Sequence, residues 1–234
     1  MYRVQKLLSK IGYCSRRTAE QLIKAGQIKV NEKVVTLGDK WSDGDVVKVR
    51  DVIVDLTLAF EQKIEIIKYN KPIGEVVSMK DPHNKDRVFD HLPEVRGKWI
   101  NIGRLDINTS GLILFTNNGD LANKIMHPSN NLEREYILET NKPLSMNSIN
   151  RLLAGVQINN GQIGKFDCIT SNGNNSYNII LSTGKNREIR NSVRQVGMKT
   201  ISLKRVRYAE ILIDELRDGE YRYLNIDERA TFSV

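Results

Sequence analysis

The sequence predicts an α+β protein: a small N-terminal module of two helices and a β-hairpin, then a domain on a largely antiparallel mixed sheet flanked by helices. Three observations predict it. Apolar residues recur at helical spacing twice within the first 23 residues and then give way to β-rich runs. Beyond residue 60, β-like runs follow one another, several with no helix between them, which is the mark of antiparallel rather than βαβ organisation. Only two segments in that later part read clearly as helices.

Val4, Leu7, Leu8 and Ile11 fall at i, i+3, i+4 and i+7, one apolar stripe closed by Gly12. Ser15 stands at an N-cap, Ala19, Leu22 and Ile23 renew the helical spacing, and Gly26 stops it. QIKV and KVVT form a hairpin joined by Asn31 and Glu32, and DGDVVKVR adds a strand after the Asp43-Gly44 turn. DVIVDLTLAFEQ (51–62) is apolar for a linker and contains no Gly or Pro. It reads as a strand or packed connection, with the boundary near residue 60: residues 1–60 form the module and residues 61–234 the larger domain. There EIIKYNKP, WINIG, GLILFTN, EYILET, FDCIT, YNIILS and RVRYAEILI read as strands, and NGNN at 172–175 as a hairpin turn. Helices are expected over Ser145–Ala154 and Asn186–Val196, the second ended by Gly197.

Of the 234 residues, 40% are hydrophobic and 27% charged, which excludes collagen-like, coiled-coil and disordered classes. No apolar run approaches the ~18 residues of a membrane span. The N-terminus (MYRVQKLLSKIG) has neither a long apolar segment nor a small-residue cleavage site, so a cytoplasmic location without membrane association is expected. Cys14 and Cys168 form no CxxC pair and read as structural, and His83, His91 and His127 lack metal spacing, so no metal is expected. His127, before Pro128, reads as a helix-end residue.

The net charge of +8 is unevenly placed. Residues 1–33 carry eight Lys or Arg against two Glu, and residues 185–207 carry eight against one, so the rest of the chain sums to −5. Two basic segments on a mildly acidic protein fit the footprint of a polyanion; a solvated charged face has the same composition. On the second helix Arg17, Glu20, Gln21 and Lys24 share a face, with Arg16 beside them and Lys6, Lys10 and Lys29 near in sequence. That excess of cations favours phosphate contact over an ordinary wet face.

The common enzyme signatures are absent: no GxGxxG after a strand, no GxxxxGK[ST], no GxSxG and no HExxH. A catalyst would have to work with an isolated carboxylate and basic or aromatic helpers. Asp106 stands in a polar, turn-prone stretch between two β-like runs, where by itself it reads more readily as an Asx-turn or cap than as a catalyst.

GRLDINTSG, then LILFTNNGDLANKIMHP, EREY and GKNREIR in that order, resemble the ribosomal RNA pseudouridine synthases. IGYCSRRTAEQLIKAGQIKVNEKVV is similar to the ribosomal-protein-like helix-pair RNA-binding module that some of these enzymes carry. The resemblance covers nearly the whole chain. It implies that Asp106 is the single catalytic residue and that Tyr136 stacks on the target base. It also implies that Arg190 pairs with the aspartate by opposite charge, that Ile189 walls the pocket, and that Arg104 holds the flipped nucleotide or fills its place. Arg16, Arg17 and Lys24 would contact RNA. The implied substrate is a uridine of ribosomal RNA, large-subunit RNA before small-subunit RNA, free or in an assembling particle. A monomer is expected, with no cofactor, because isomerising uridine is neither redox nor hydrolytic.

VVSMKDPHNKDRVFDHLP matches the family only loosely and supplies no site residue, and the C-terminal EYRYLNIDERATFSV shows no long basic tail. A non-catalytic ribosome-assembly factor of the same architecture would keep the basic segments but give Asp106, Tyr136 and Arg190 no role. A methyltransferase would need a Gly-rich cofactor loop, and none is found.

Overall fold

The first apolar stripe packs as its spacing requires. In the computed structural model, which describes residues 1–57, 63–79 and 86–234, Val4, Leu7, Leu8 and Ile11 are all buried. The chain divides into two units, one comprising Met1–Ile64 with Glu94–Trp99 and Asn117–Gly119, the other the remaining residues. The boundary expected near residue 60 falls on 58–62, outside the described residues, as does His83.

In the first unit β1 (Tyr2–Arg3) leads into α1 (Val4–Lys10), and α2 (Arg16–Lys24) follows. Gly12 and Gly26 sit at φ 77° and 67°, the left-handed backbone that ends each helix. The Ser15 side chain accepts from the Thr18 N–H at 3.0 Å, capping α2 as expected. Then come β2 (Ile28–Val30), β3 (Lys33–Val34), β4 (Lys40–Trp41), β5 (Val47–Val49) and β6 (Val52–Ile53). The sheet order is β3-β2-β5-β6, while β4 pairs with β1. Asn31 and Glu32 make the β2–β3 turn with φ of 48° and 66°. Ala19, Ile23, Ile28, Trp41, Val47 and Val49 close the core over α1.

The second unit holds β7 (Ile66–Lys71), β8 (Ile100–Ile102), β9 (Ser110–Thr116), α3 (Gly119–Met126) from Asp120 onward, β10 (Arg134–Thr140), α4 (Met146–Ala154), β11 (Val156–Gln157) and β12 (Ile163–Gly164). After these come β13 (Cys168–Gly173), β14 (Ser176–Leu181), α5 (Glu188–Gln195), β15 (Thr200–Tyr208), β16 (Ile211–Leu212), β17 (Tyr221–Tyr223) and α6 (Ile226–Ala230). A nine-stranded sheet runs β13-β14-β10-β15-β9-β7-β17, with β16 beside β15 and β8 beside β9. Every pair in it is antiparallel except β9–β15. This is the expected α+β class. One core cluster joins β10, β14, β15, α4 and α5 through Leu138, Leu152, Ile179, Val193 and Leu203. Across the sheet, Tyr69 and Phe89 meet Phe115 edge-on, with centroids 6.4 and 5.5 Å away. Among the described residues, no helix is long and apolar enough to cross a membrane.

Several expectations need correcting. The run RVRYAEILI is two strands: Ala209 at φ 50° turns the chain, so β16 folds back on β15 with Tyr208 opposite Ile211. The helix expected from Asn186 begins at Glu188, because Arg187 is left-handed. The helix α3 was hidden because Leu121, Ala122 and Ile125 make a stripe barely one turn long. The helix α6 spans five residues and rests on an Asn225–Glu228 capping box. His127 follows α3 and caps a short 3₁₀ turn, Pro128–Asn130, its ring nitrogen accepting from the Ser129 N–H. Cys168 is exposed on the edge strand β13 rather than placed in a core, and Cys14 is half-buried.

Candidate active site

Asp106 lies on the loop between β8 and β9, and this loop is held by its carbonyls. Thr109 N–H donates to the Asp106 carbonyl at 2.9 Å and Gly74 N–H to the Ile107 carbonyl at 2.9 Å. Arg190 Nη2 donates to the Asn108 carbonyl at 2.7 Å, and Lys71 Nζ to the Thr109 carbonyl at 3.0 Å. Four consecutive acceptors are thereby satisfied, and the buried Leu105 and Thr109 side chains anchor the loop on either side of Asp106. The Asp106 carboxylate itself, half-buried, makes no hydrogen bond or ion pair among the described residues.

Two cations sit near it. Lys71 is fully buried and also donates to the Pro72 carbonyl at 2.7 Å. Burial pushes its pKa down to about 8, against the opposing pull of Glu75 and Asp106. Arg190 feels burial first and then the like charge of Arg187, both lowering its pKa, while Asp106 raises it. The expected Asp106–Arg190 ion pair is not formed: the guanidinium is engaged by the loop backbone, with Thr109 Oγ1 at 3.4 Å.

Asp106 opens into a cleft of about 890 Å³. Tyr136 lines it from the middle of β10, opposite Ile179 on β14 and Arg205 on β15. Its ring packs on the core cluster, and its hydroxyl has no partner among the described residues. Ile189, 7% exposed, contributes an apolar wall from α5. Arg104 also lines the cleft, exposed and without a partner among the described residues. Sequence reading therefore named five residues that the fold gathers in one place: Arg104, Asp106, Tyr136, Ile189 and Arg190. Arg16, Arg17 and Lys24 lie on the exposed face of α2 in the first unit.

Other residues were missed. Arg134 donates to the Leu132 and Ser182 carbonyls at 2.9 and 2.8 Å and to the Tyr208 hydroxyl at 3.1 Å, tying two rims of the cleft together. Arg205, 2% exposed, donates to the Leu112 carbonyl at 2.6 Å. Both guanidinium groups stack on Tyr208, at 4.9 and 5.4 Å from its centroid. The signal that could have found Arg134 was its place two residues from Tyr136 on one strand, hence on one face. Lys71 carried no such signal.

Away from the cleft, Glu75, Asp86 and His91 are the group among the described residues whose ligand atoms lie close enough to share a cation. These groups already engage one another: His91 Nε2 lies 2.7 Å from Asp86 Oδ1, and the Tyr69 hydroxyl donates to Glu75 at 2.8 Å.

The family model described as RNA pseudouridylate synthase matches residues 65–195, and the S4 domain model matches residues 3–47. A protein of Vibrio cholerae named ribosomal large subunit pseudouridine synthase B is 39% identical over 218 residues, covering 91% of this chain and 68% of that protein. Its namesake in Buchnera aphidicola is 39% identical over 232 residues, covering 95% and 92%. The Pseudomonas aeruginosa namesake is 38% identical over 95% of this chain, which spans only 59% of that relative's length. A solved pseudouridylate synthase shares the fold with a TM-score of 0.72 at 23% identity, covering 99% of this chain and 100% of its own.

Proposed function

The chain belongs to the RNA pseudouridylate synthase family, and from that premise we propose that it converts one uridine of ribosomal RNA, in the large subunit, to pseudouridine, with Asp106 as its catalytic carboxylate. Residues 1–60 dock on the RNA through Arg16, Arg17 and Lys24, and residues 61–234 carry out the chemistry. The protein works as a cytoplasmic monomer on the ribosomal RNA or an assembling ribosomal particle.

The observation that carries this reading is the state of Asp106. The carbonyls of residues 106–109 are each held by a hydrogen bond, yet the Asp106 carboxylate is unpartnered among the described residues at a cleft lined by an aromatic ring and an apolar wall. A group so held is oriented in advance for reaction at a sugar or base. In the reaction the N1–C1′ bond breaks, the uracil turns, and a C5–C1′ bond forms. C5 gives up a proton and N1 gains one, so substrate and product have the same composition and no oxidant, reductant or hydrolytic water is consumed.

The uridine must first leave its stack, which costs a few kcal/mol. Stacking on Tyr136 offsets about 1–3 kcal/mol of that. Arg104 holds the flipped nucleotide or fills its vacated place, and Ile189 keeps the flipped base against a dry wall. Lys71 and Arg190 hold the aspartate loop and add positive charge near the carboxylate.

The test is to incubate the protein, without added cofactor, with unmodified large- and small-subunit rRNA transcripts and map pseudouridine by carbodiimide-dependent primer extension. One new stop on the large-subunit transcript, absent with Asp106→Asn, is the expected result. A stop that survives in the variant removes Asp106 from the role. No stop on either transcript or on precursor particles would favour a binding factor of the same architecture.

A further inference from the structure

The cation content of the cleft exceeds what a neutral base requires. Arg104, Arg134, Lys185, Arg187, Arg190 and Arg205 line it against the carboxylates of Asp106 and Glu188. Arg134 is engaged by three acceptors, and Lys185 reaches the Ile163 carbonyl. Glu188 is occupied too: its carboxylate accepts from Thr183 Oγ1 at 2.8 Å and from the Lys185 N–H at 2.9 Å. Arg187, like Arg104, is exposed, lines the cleft, and has no acceptor for its guanidinium among the described residues.

Its position is also unfavourable in two respects. Arg187 has φ 50° and ψ 31°, the left-handed region in which glycine is the undemanding choice. It also lies near enough to Arg190 for the two like charges to oppose each other. The backbone of the turn is held, since the Glu188 carboxylate accepts from Thr183 Oγ1 and the Lys185 N–H and Asn191 Nδ2 bonds the Asn186 carbonyl at 3.3 Å. Arg190 has a donor to spare: its hydrogen bonds run through Nη2, and Nη1 has no acceptor among the described residues. A single anion lying against Arg187 and Arg190 would turn their repulsion into attraction and supply the missing acceptors.

We propose that Arg187 is a phosphate-binding residue that, together with Arg190, seats a backbone phosphate beside the flipped uridine. This rests on the reading of the cleft as the uridine site and adds a substrate contact to it. The flipped base is uncharged, whereas the strand it leaves carries a negative charge at every nucleotide, so phosphate is the ligand that matches these two cations.

The experiment measures equilibrium binding of unmodified large-subunit rRNA transcript across a salt series, in the Asp106→Asn background so that the RNA stays unmodified. Arg187→Gly suits the left-handed backbone and removes only the side chain; Arg187→Lys keeps the charge. With Arg187→Gly the affinity should fall about tenfold at low salt, and the slope of log K against log salt should lessen by about 0.7 for a single-strand phosphate. Arg187→Lys should restore most of the slope. Arg187→Gly should melt at or above the parent, because glycine relieves the backbone, and Arg187→Lys should match the parent. An unchanged slope in Arg187→Gly overturns the proposal. So does a loss of affinity that tracks a lowered melting temperature and that Arg187→Lys does not repair. Because the readout is binding, failure of the parent enzyme to turn over would count against the functional reading while leaving this result intact.

Discussion

Lys71 shows at residue scale how the site departs from what its residue types lead one to expect. An ammonium with no solvent exposure is costly unless hydrogen-bonded, and two carbonyls hold it. Its pKa falls from 10.5 to about 8, so between these values the unfolded chain binds a proton there that the folded chain does not. Stability contributed by this group is present above pH 10.5 and lost as the pH falls through about 8, a difference of about 3 kcal/mol. Denaturant titrations of wild type and Lys71→Met at pH 8 and pH 10 check it. Wild type should gain on the variant as the pH rises, and a constant difference would mean that Lys71 titrates normally. Asp106, Tyr136 and Arg190 were legible as a linear motif. Lys71 was not, because lysine in a β-like run reads as the wet side of the strand.

At the scale of elements, β7 corrects that reading: all six of its residues, IIKYNK, are buried. The strand lies between β9 and β17, and the polar side chains find internal partners. Lys68 meets Asp214 and Glu228, and Asn70 reaches the Leu216 carbonyl. Those partners come from more than 140 positions away in the chain, so no local pattern foretells them. A second close approach sets the strand that leaves the Asp106 loop. Gly111, at φ 102°, faces Arg205 where β9 and β15 run parallel, and a Cβ there would lie 2.1 Å from the Arg205 carbonyl oxygen. Gly111→Ala should therefore destabilise by about 3–5 kcal/mol through backbone strain and overpacking. Chemical denaturation measures this directly, and a cost under about 1 kcal/mol would mean that the two strands part easily.

For the whole molecule, the chain places its charge in two regions. One basic segment supplies α2 of the first unit, and the other runs through α5 and β15 beside the cleft. Arg17 and Lys24 are exposed and form no ion pair among the described residues, so replacing both with alanine should leave the fold intact. The salt dependence of rRNA binding should flatten by about 1.4–1.8 in log–log slope, two phosphate contacts' worth. An unchanged slope would mean that this face of α2 does not meet phosphate.

The sequence by itself determined what depends on neighbours along the chain. Apolar period, caps and turn residues specified α1, α2, α4, the two hairpins and the α+β class, because each rests on contacts a few residues long. Ordered motifs specified the family and the candidate carboxylate in the same way. Tertiary structure alone decided the burial of Lys68 and Lys71, the parallel β9–β15 contact, the pinning of the Asp106 loop and the open guanidinium of Arg187. In the buried lysines, the strand contact and the loop, groups far apart in sequence must satisfy each other's hydrogen bonds, charge or volume; Arg187 is among the cleft cations that such packing leaves without a partner among the described residues. Such long-range pairing exists only once the sheet has formed.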